Sequence, residues 1–378
     1  MKKIAIILGT RPEAIKLAPL INLLKNDDGF ECEVCSTGQH KEMLNQVLEV
    51  FDINIDYELS LMSHNQTLSQ FTAKALVALD EYFDKNKPDC IIVQGDTTTV
   101  FVSSLVAFYK KIPILHVEAG LRSGDNYAPF PEEINRKFAS LVAAIHFAPT
   151  NKSVQNLKNA GVDPENIFLS GNTVVDSLRI GLEIVENSNL KIEDILPADI
   201  DLEKRIVLVT GHRRENFGKG FESICKAIQR LSIKFPDVNF VFPVHLNPNV
   251  QEPVLRILGR DGCKNIHLLN PQSYLPFLLL MKSSYLILTD SGGVQEEAPS
   301  LGIPVLVMRE VTERPEGVES GNVLLIGSDE DRIVKEVSTL LNNSEKYFDM
   351  AKKSNVYGDG KSSEFILKII KDYFKKKL

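Results

Sequence analysis

The amino-acid sequence predicts an α/β protein with two domains, each built on a parallel β-sheet that helices cover on both faces. Three observations support this fold class. Short apolar runs alternate with segments of helical periodicity, which is the pattern that builds parallel sheets. The alternation stops around residues 171–197 and then restarts. The 378 residues are enough for two domains, each with its own core.

Residues 1–172 are expected to form the first domain. One of its helices illustrates the reasoning, since Phe71, Ala75, Leu79 and Tyr82 recur at helical spacing. Strands are predicted at Ile4–Leu8, Glu31–Ser36, Cys90–Val93, Ile114–Val117, His146–Ala148 and Ile167–Leu169. Helices are predicted at Ala14–Lys25, across Leu68–Tyr82, at Val100–Tyr109 and at Ile134–Ala144.

Residues 173–360 are expected to form the second domain, which opens with a helix and a polar, proline-containing link before its first strand. Strands are predicted at Ile206–Thr210, Val238–Val244, Ile266–Leu269, Tyr285–Thr289, after Pro304 and at Val323–Ile326. Helices are predicted at Leu178–Val185, Phe221–Phe235, Val250–Leu258, Leu275–Lys282, after Gly293, and at Asp329–Leu341 and Ser344–Ser354. A last helix, Ser362–Lys377, lies in the terminal segment 361–378.

The composition argues against several classes of protein. The net charge of −7 disfavours nucleic-acid binding and attraction to an anionic membrane surface. The first apolar run is too short for a secretory signal, and no run is long enough to span a bilayer. Cys32 and Cys35 form a single C-x-x-C in a strand-like run, so they face opposite ways and make no zinc site. All five cysteines are expected to be reduced, in a cytoplasmic protein.

Three carboxylates follow predicted strands or open a helix in the first domain: Asp96, Glu118 and Glu132. Ligands of parallel sheets bind beyond the carboxyl ends of strands, so these residues are expected along one edge. Close together they would repel one another and take up protons at different pH, as acid–base catalysis requires. Asp96 could instead be a helix N-cap and Glu132 an ordinary acidic first-turn residue. Glu118 is harder to explain in this way, because a buried charge needs a partner; His116 is expected to be a core histidine.

A glycine turn in the second domain is a candidate anion site. The strand ending at Thr289 leads through Ser291, Gly292 and Gly293 into a helix, whose free N–H groups and positive dipole end suit a phosphate. Glu297, one turn into the helix, could accept hydrogen bonds from ribose hydroxyls. The alternative is a turn selected for its geometry alone, because glycine turns are common.

Further residues at strand ends complete the candidate site. They are Arg11 and Lys16 after the first strand, then His212, His245, Gln272, Phe277 and Arg314 in the second domain. His212 could stabilise or protonate a phosphate leaving group. Gln272 could hydrogen-bond to the edge of a base whose ring packs on Phe277. The alternative for the Arg11 segment is a capped helix start with a surface arginine, and for the His212 segment it is a basic helix approach or a solvated loop. No metal motif, G-x-G-x-x-G or Walker loop occurs, so neither a metal nor another cofactor is expected.

Taken together, these motifs resemble the non-hydrolysing UDP-N-acetylglucosamine 2-epimerases over nearly the whole chain. The matching motifs are Gly9–Glu13, Gly95–Thr97, His116–Arg122, Pro129–Arg136, Gly211–Asn216, Asp290–Pro299 and Thr312–Gly317. The resemblance implies a GT-B glycosyltransferase-like fold, with two Rossmann-like domains facing across a cleft and the last helix returning to the first domain. It also implies a homodimer that binds UDP-GlcNAc and UDP-ManNAc.

The resemblance also assigns roles to the candidate residues. The UDP moiety would be held by Arg11, His212, Gln272, Ser291, Gly292, Gly293, Glu297 and Arg314, with Lys16 near the sugar or phosphates. Asp96, Glu118 and Glu132 would act at the second carbon of the sugar. A second substrate molecule, bound by Gln39, Arg213, Glu215 and His245, would activate the enzyme. Asn65 stands where some members carry an arginine, a departure that bears on this activation.

The implied reaction removes UDP to give 2-acetamidoglucal and then adds UDP back after a proton reaches the opposite face of the second carbon. Its product would supply N-acetylmannosamine for cell-surface polysaccharide. Three alternatives remain open at the level of the sequence. They are a hydrolysing epimerase that releases ManNAc and UDP, a GT-B glycosyltransferase, and a non-catalytic nucleotide-sugar sensor.

Overall fold

The computed structural model describes residues 1–38, 41–63, 66–259 and 264–376, without the side chains of residues 41–43. The chain divides into two compact units. Unit 1 combines Met1–Arg179 with Tyr357–Leu378, and unit 2 is the continuous segment Ile180–Val356. Unit 1 is therefore assembled from both ends of the chain.

The strands and helices alternate along most of the chain. The strands are β1 (Lys2–Leu8), β2 (Phe30–Ser36), β3 (Tyr57–Glu58), β4 (Cys90–Gln94), β5 (Ile114–Val117), β6 (Ile145–Ala148), β7 (Ile167–Leu169), β8 (Arg205–Thr210), β9 (Val238–Pro243), β10 (Ile266–Leu269), β11 (Leu286–Thr289), β12 (Val305–Val307) and β13 (Val323–Leu325). The helices are α1 (Arg11–Lys25), α2 (Lys41–Val50), α3 (Leu68–Asn86), α4 (Thr98–Tyr109), α5 (Glu132–Val142), α6 (Asn151–Asn159), α7 (Thr173–Asn187), α8 (Lys219–Lys234), α9 (Pro248–Leu258), α10 (Tyr274–Lys282), α11 (Gly292–Leu301), α12 (Pro315–Glu319), α13 (Glu330–Asn342), α14 (Ser344–Met350) and α15 (Ser362–Lys375).

Each unit contains one parallel sheet. In unit 1 the strand order is β3-β2-β1-β4-β5-β6-β7, and in unit 2 it is β10-β9-β8-β11-β12-β13. Both sheets therefore grow outward in two directions from their first strand, and the order reverses between β1 and β4 and between β8 and β11. Ligands of such sheets bind at this reversal, beyond the carboxyl ends of the strands.

The central strands are apolar along their whole length because helices cover both faces of each sheet. All residues of β4, β5 and β11 are buried. Two cores result. One packs β1 and β4 against α3 and α4 in unit 1, and the other packs β8, β9 and β11 against α8, α9 and α13 in unit 2.

The last helix, α15, packs against α1 within unit 1. It buries Ile366, Ile370 and Phe374, which lie along one face at helical spacing. The ring centroid of Phe374 is 6.0 Å from that of Phe30. The Asp176 carboxylate of α7 accepts hydrogen bonds from the backbone N–H groups of Ser362 and Ser363, at 3.2 and 2.7 Å.

The predicted fold class is confirmed, since both halves of the chain form parallel α/β sheets. Four elements were not predicted: α2, β3, α6 and α12. The strand β3 has only two residues, and α6 buries only Ser153 and Leu157, so their periodic signals are weak. The four described cysteines are free thiols, and Cys263 lies outside the described residues. Among the described residues, no helix has the length and apolarity needed to cross a bilayer.

Candidate active site

Asp96 and Glu118 lie side by side at the carboxyl edge of the unit 1 sheet. The strands that precede them, β4 and β5, pair in parallel with Gln94 opposite Val117. The Gly95 N–H donates to the Val117 carbonyl at 3.0 Å, which fixes the two strand ends together. The prediction that both carboxylates occupy this edge agrees with the observed strand register.

Glu118 is buried and has a left-handed backbone conformation, with φ of 62°. Non-glycine residues seldom adopt this conformation, and where they do so it is often at a functional site. The Glu118 carboxylate forms an ion pair with Lys16 and accepts a 2.9 Å hydrogen bond from Asn172 Nδ2. These contacts supply the partner that a buried charge requires.

Asp96 is held by α5. Its carboxylate pairs with the buried Arg136 guanidinium, and its carbonyl oxygen accepts a 2.9 Å hydrogen bond from Asn135 Nδ2. The N-cap of α4 is Thr97, whose hydroxyl accepts from the Val100 N–H at 3.3 Å. The interpretation of Asp96 as an N-cap is therefore wrong, and its side chain is available for another role.

Glu132 is the first residue of α5 and is half-buried. Its neighbour Glu133 has a different environment. Glu133 is fully buried, accepts from the Ser123 N–H at 3.1 Å and pairs with Arg136 at 3.2 Å. Arg136 thus bridges Glu133 and Asp96, so α5 positions the Asp96 side chain while Glu132 stays partly accessible.

Glu13 was not among the predicted site residues, although it connects two site loops. Its Oε2 accepts from the N–H groups of Gly9 and Thr10 at 3.0 and 2.8 Å, and its Oε1 accepts from the Thr97 hydroxyl at 2.7 Å. Burial raises the pKa of Glu13, although these hydrogen bonds act in the opposite direction. The loop that leads into Arg11 is therefore tied to the loop that carries Asp96.

Two buried histidines lie beside this edge. His116 and His146 are opposite each other in β5 and β6, and the ring of His116 hydrogen-bonds to the Gly95 carbonyl at 2.8 Å. Burial lowers the pKa of His116 to about 4 and that of His146 to about 3. The expectation of a core histidine at position 116 is confirmed by its burial, but only its Nε2 is hydrogen-bonded, since its Nδ1 has no partner among the described residues.

In unit 2, Asp290 organises the loop that follows β8. It is completely buried and accepts from the N–H groups of His212 and Arg213 at 3.0 and 2.9 Å and from Asn216 Nδ2 at 3.2 Å. Gly211 leaves room for this arrangement, because a Cβ there would lie 3.0 Å from the Phe221 ring. Asp290 therefore fixes the backbone on which the predicted residue His212 stands.

The rings of His212 and His245 stack with their centroids 5.4 Å apart, at an interplanar angle of 20°. Desolvation lowers the pKa of His212, although the Asp290 carboxylate acts in the opposite direction, and desolvation also lowers the pKa of His245. Both rings are thus biased towards the neutral form. A neutral imidazole can donate one hydrogen bond and accept another.

The predicted glycine turn forms the start of α11. Ser291 is its N-cap, and Gly292 lies under the Arg314 guanidinium, because a Cβ on this glycine would be 2.8 Å from Arg314 Nη1. Glu297 is buried one turn further on, and its Oε2 would lie 3.7 Å from a Cβ on Gly293. A helix N-terminus beside an arginine combines two features that favour anions.

Arg314 belongs to a buried chain of ion pairs. Its Nε donates to Glu296 at 2.7 Å, and its guanidinium also pairs with Glu313. Arg309 links two carboxylates, since its Nη1 donates to Glu313 Oε2 at 3.1 Å and its Nε donates to Glu215 Oε1 at 2.6 Å. Burial alone would raise the pKa of Glu313, but Arg314, Arg309 and Arg213 outweigh it and hold that pKa well below its usual range. Two predicted regulatory residues, Arg213 and Glu215, thus adjoin the network that fixes Arg314.

The remaining predicted residues lie at the ends of other strands or outside the described part of the chain. Gln272 and Phe277 are partly buried at the start of α10, and the Gln272 amide donates to the Asn270 carbonyl at 2.7 Å. Gln39 and Asn65 lie outside the described residues. Within the described ranges, no group of three or more histidine, cysteine or acidic side chains could hold a metal ion.

The two units define a class of protein with two parallel α/β sheets, of which one carries carboxylates at its carboxyl edge and the other an arginine beside the N-terminus of a helix. The profile of the UDP-N-acetylglucosamine 2-epimerase family matches residues 22–371. The UDP-N-acetylglucosamine 2-epimerase of Yersinia pestis is 52% identical over 373 residues, which cover 98% of this chain and 99% of that protein. The chain therefore belongs to the UDP-N-acetylglucosamine 2-epimerase family.

Two solved structures agree with this assignment. The Neisseria meningitidis UDP-GlcNAc 2-epimerase bound to UDP-GlcNAc is 45% identical, with a TM-score of 0.94 over 98% of this chain and 100% of that chain. An S. aureus structure in complex with UDP is 44% identical, with a TM-score of 0.92 over 99% of this chain and 97% of that chain. The similarity extends over both units, so the GT-B-like fold is confirmed.

Proposed function

We propose that this chain interconverts UDP-GlcNAc and UDP-ManNAc by non-hydrolysing epimerisation at the second carbon of the sugar. The bond between the first carbon and the diphosphate breaks while a carboxylate removes the proton from the second carbon, giving 2-acetamidoglucal and UDP. A proton is then added to the opposite face as UDP returns to the first carbon. Departure of the diphosphate acidifies a proton that has no neighbouring carbonyl to activate it.

One observation carries this proposal. Two carboxylates, Asp96 and Glu118, end adjacent parallel strands, and each is paired with a buried cation, Arg136 or Lys16. Charge-assisted contacts of this kind fix the direction of a carboxylate. With Glu132 at the start of α5, the edge offers more than one acid–base group, as proton transfer on two faces demands.

Unit 2 would bind the diphosphate and the nucleoside. The N-terminus of α11 and the Arg314 guanidinium would stabilise the departing UDP electrostatically, together with Arg11 and His212. Glu297 would accept hydrogen bonds from the ribose hydroxyls, and Gln272 with Phe277 would contact the base. The ion pairs from Glu296 and Glu313 hold Arg314 in place before any ligand arrives.

Solvent isotope incorporation tests the reaction. Incubation of UDP-GlcNAc with the protein in deuterated buffer should yield UDP-ManNAc with deuterium at the second carbon, which proton NMR detects. Epimerised product without solvent label would contradict the elimination mechanism. Continuous release of free ManNAc in equal amount to UDP would favour the hydrolysing alternative instead.

Variants of the carboxylates identify the groups that act on the sugar. Asp96→Asn, Glu118→Gln and Glu132→Gln should each lower kcat by about 10²–10⁴-fold. UDP affinity, measured by calorimetry, should stay close to that of the unchanged protein, because Asp96, Glu118 and Glu132 are not among the residues proposed to contact the diphosphate. Normal turnover of Asp96→Asn would rule that residue out as an acid or base.

The proposal extends to regulation and assembly. A second substrate molecule would bind near Arg213, Glu215 and His245, next to the ion pairs that fix Arg314. Glu215→Gln should then remove any sigmoidal dependence of the rate on UDP-GlcNAc concentration.

The enzyme would act in the cytoplasm as a homodimer, and its product would enter cell-surface polysaccharide. Loss of that polysaccharide in cells without the protein would support this role.

A further inference from the structure

Asn172 contacts Glu118 from a segment that the reaction scheme above does not use. Its Nδ2 lies 2.9 Å from Glu118 Oε2, the same oxygen that pairs with Lys16. Asn172 is only 1% exposed. The Glu118 carboxylate therefore has one fixed cationic partner and one fixed neutral hydrogen-bond donor.

The orientation of the Asn172 amide is determined by its own surroundings. Its Oδ1 accepts a 3.1 Å hydrogen bond from the Val174 N–H at the start of α7. A backbone N–H can only donate, so this contact identifies Oδ1 as the acceptor and leaves the Nδ2 donor facing Glu118. The amide thus presents a hydrogen, and not a lone pair, to the carboxylate.

The backbone of this segment is fixed as well. The Asn172 N–H donates to the Tyr357 carbonyl at 2.6 Å, where the chain re-enters unit 1. Gly171 and Gly358 permit the two segments to touch, since a Cβ on Gly171 would lie 3.2 Å from the Gly358 Cα. Both glycines have positive φ, 78° and 121°, which other residues rarely adopt.

We propose that Asn172 is a positioning residue for Glu118, which fixes the direction of its carboxylate and ties it to the returning segment at Tyr357. This inference rests on the proposed role of Glu118 at the sugar. The left-handed backbone of Glu118 gives its side chain a direction that must be kept by contacts such as these. Asn172 itself does not exchange a proton with the substrate.

The isosteric variant Asn172→Asp separates this role from a structural one. An aspartate keeps an oxygen acceptor for the Val174 N–H but replaces the donor that faces Glu118 with a second acceptor. Two facing carboxylates then share a proton at low pH and repel each other once both are ionised. We expect kcat to fall at least about ten-fold at pH 8 and to recover partly towards pH 6.

Asn172→Ala has no group that could take up a proton, so its kcat should be low without this recovery. Asn343→Asp is the matched control, since Asn343 is an exposed helix cap whose Oδ1 accepts from the Lys346 N–H at 3.0 Å. The control should keep the rate and pH profile of the unchanged protein. A thermal unfolding transition like that of the unchanged protein verifies that each variant is folded, and Asn172→Ser, which should show a smaller loss of kcat, replaces any variant that lacks this transition.

The outcomes distinguish this inference from the proposed function. If the unchanged protein epimerises UDP-GlcNAc and Asn172→Asp has the same kcat and pH profile, Asn172 does not position Glu118. Loss of activity in Asn172→Asp that is equal at every pH would assign Asn172 a structural role only, and would also overturn the proposal. Absence of epimerised product with the unchanged protein would instead refute the proposed function.

Discussion

Single residues at the two sheet edges are fixed by contacts that leave little space for change. Gly292 is the sharpest case, because the Arg314 guanidinium occupies the place where its side chain would be. Arg314 cannot move away freely, since ion pairs with Glu296 and Glu313 hold its guanidinium. The glycine is therefore needed for a close approach and not for an unusual backbone angle.

Gly292→Ala should displace Arg314 and weaken UDP binding by about ten-fold, equivalent to about 1.4 kcal/mol. Gly293→Ala is the matched control, because its Cβ would have ordinary contact with Glu297 Oε2 at 3.7 Å. Its loss of UDP affinity should be smaller. Titration calorimetry with UDP measures both variants, and equal losses would show that the Arg314 contact is not the cause.

The pH dependence of folding should reflect His116. Its pKa of about 4 in the folded protein is below the ordinary value of about 6.5, so the folded state binds fewer protons than the unfolded state in that interval. The contribution of neutral His116 to the free energy of unfolding is complete above pH 6.5 and is lost as the pH falls towards 4. Between pH 7 and pH 5 this amounts to roughly 2 kcal/mol.

His116→Gln should remove that share of the acid sensitivity, since glutamine can still donate to the Gly95 carbonyl but does not titrate. Urea unfolding of the unchanged protein and of His116→Gln at pH 7 and pH 5 measures how much free energy of unfolding each loses over this interval. Curves that lose equal free energy over this interval would show that His116 does not become protonated on unfolding.

At the scale of elements, the start of α15 depends on a carboxylate from another helix. Asp176 on α7 accepts two N–H groups that the helix cannot satisfy by itself. Asp359, by contrast, is exposed to solvent and accepts from the Lys361 N–H at 3.2 Å. The buried Asp176 cap is therefore expected to contribute more to the free energy of unfolding than Asp359 does.

Asp176→Ala should lower the free energy of unfolding by about 1–2 kcal/mol and speed hydrogen exchange within α15. Asp359→Ala should lower the free energy of unfolding by only a few tenths of that amount and leave the hydrogen exchange of α15 nearly unchanged. Amide exchange followed by mass spectrometry resolves the two cases. Similar protection of α15 in both variants would contradict the capping role of Asp176.

Elements and strand ends were predictable from the sequence because burial on both faces leaves a local apolar signal. The contacts that fix the candidate site were not. Asp96 pairs with a residue 40 positions away, and Glu118 with one 102 positions away, so no local spacing indicates either partner. Glu13 was missed for the same reason, since its link to Thr97 depends on the adjacency of β1 and β4.

At the scale of the whole molecule, exposed apolar side chains on neighbouring helices of unit 1 are consistent with the proposed homodimer. Neighbouring helices carry exposed apolar side chains: Val77 on α3, Phe108 on α4, and Ile134 and Leu141 on α5. Leu141 is 75% exposed. Apolar surface shared by adjacent helices often marks an interface between subunits.

Leu141→Glu should convert the proposed dimer into a monomer, because a charge cannot be buried there without a partner. Ile233→Glu is the control, since Ile233 is similarly exposed, at 72%, but lies on α8 in unit 2. Sedimentation velocity reports the mass of each variant. A dimer that survives Leu141→Glu would place the interface elsewhere.

Because unit 1 is built from two separate segments of the chain, the two units are completed at different times during synthesis. The ribosome delivers Ile180–Val356 as one uninterrupted stretch, whereas the face of α1 that receives α15 stays uncovered until α15 has been made, after unit 2. Nascent unit 2 can therefore fold before unit 1 is complete. Released chains truncated after Lys361 should already resist protease in unit 2 while unit 1 is still cleaved.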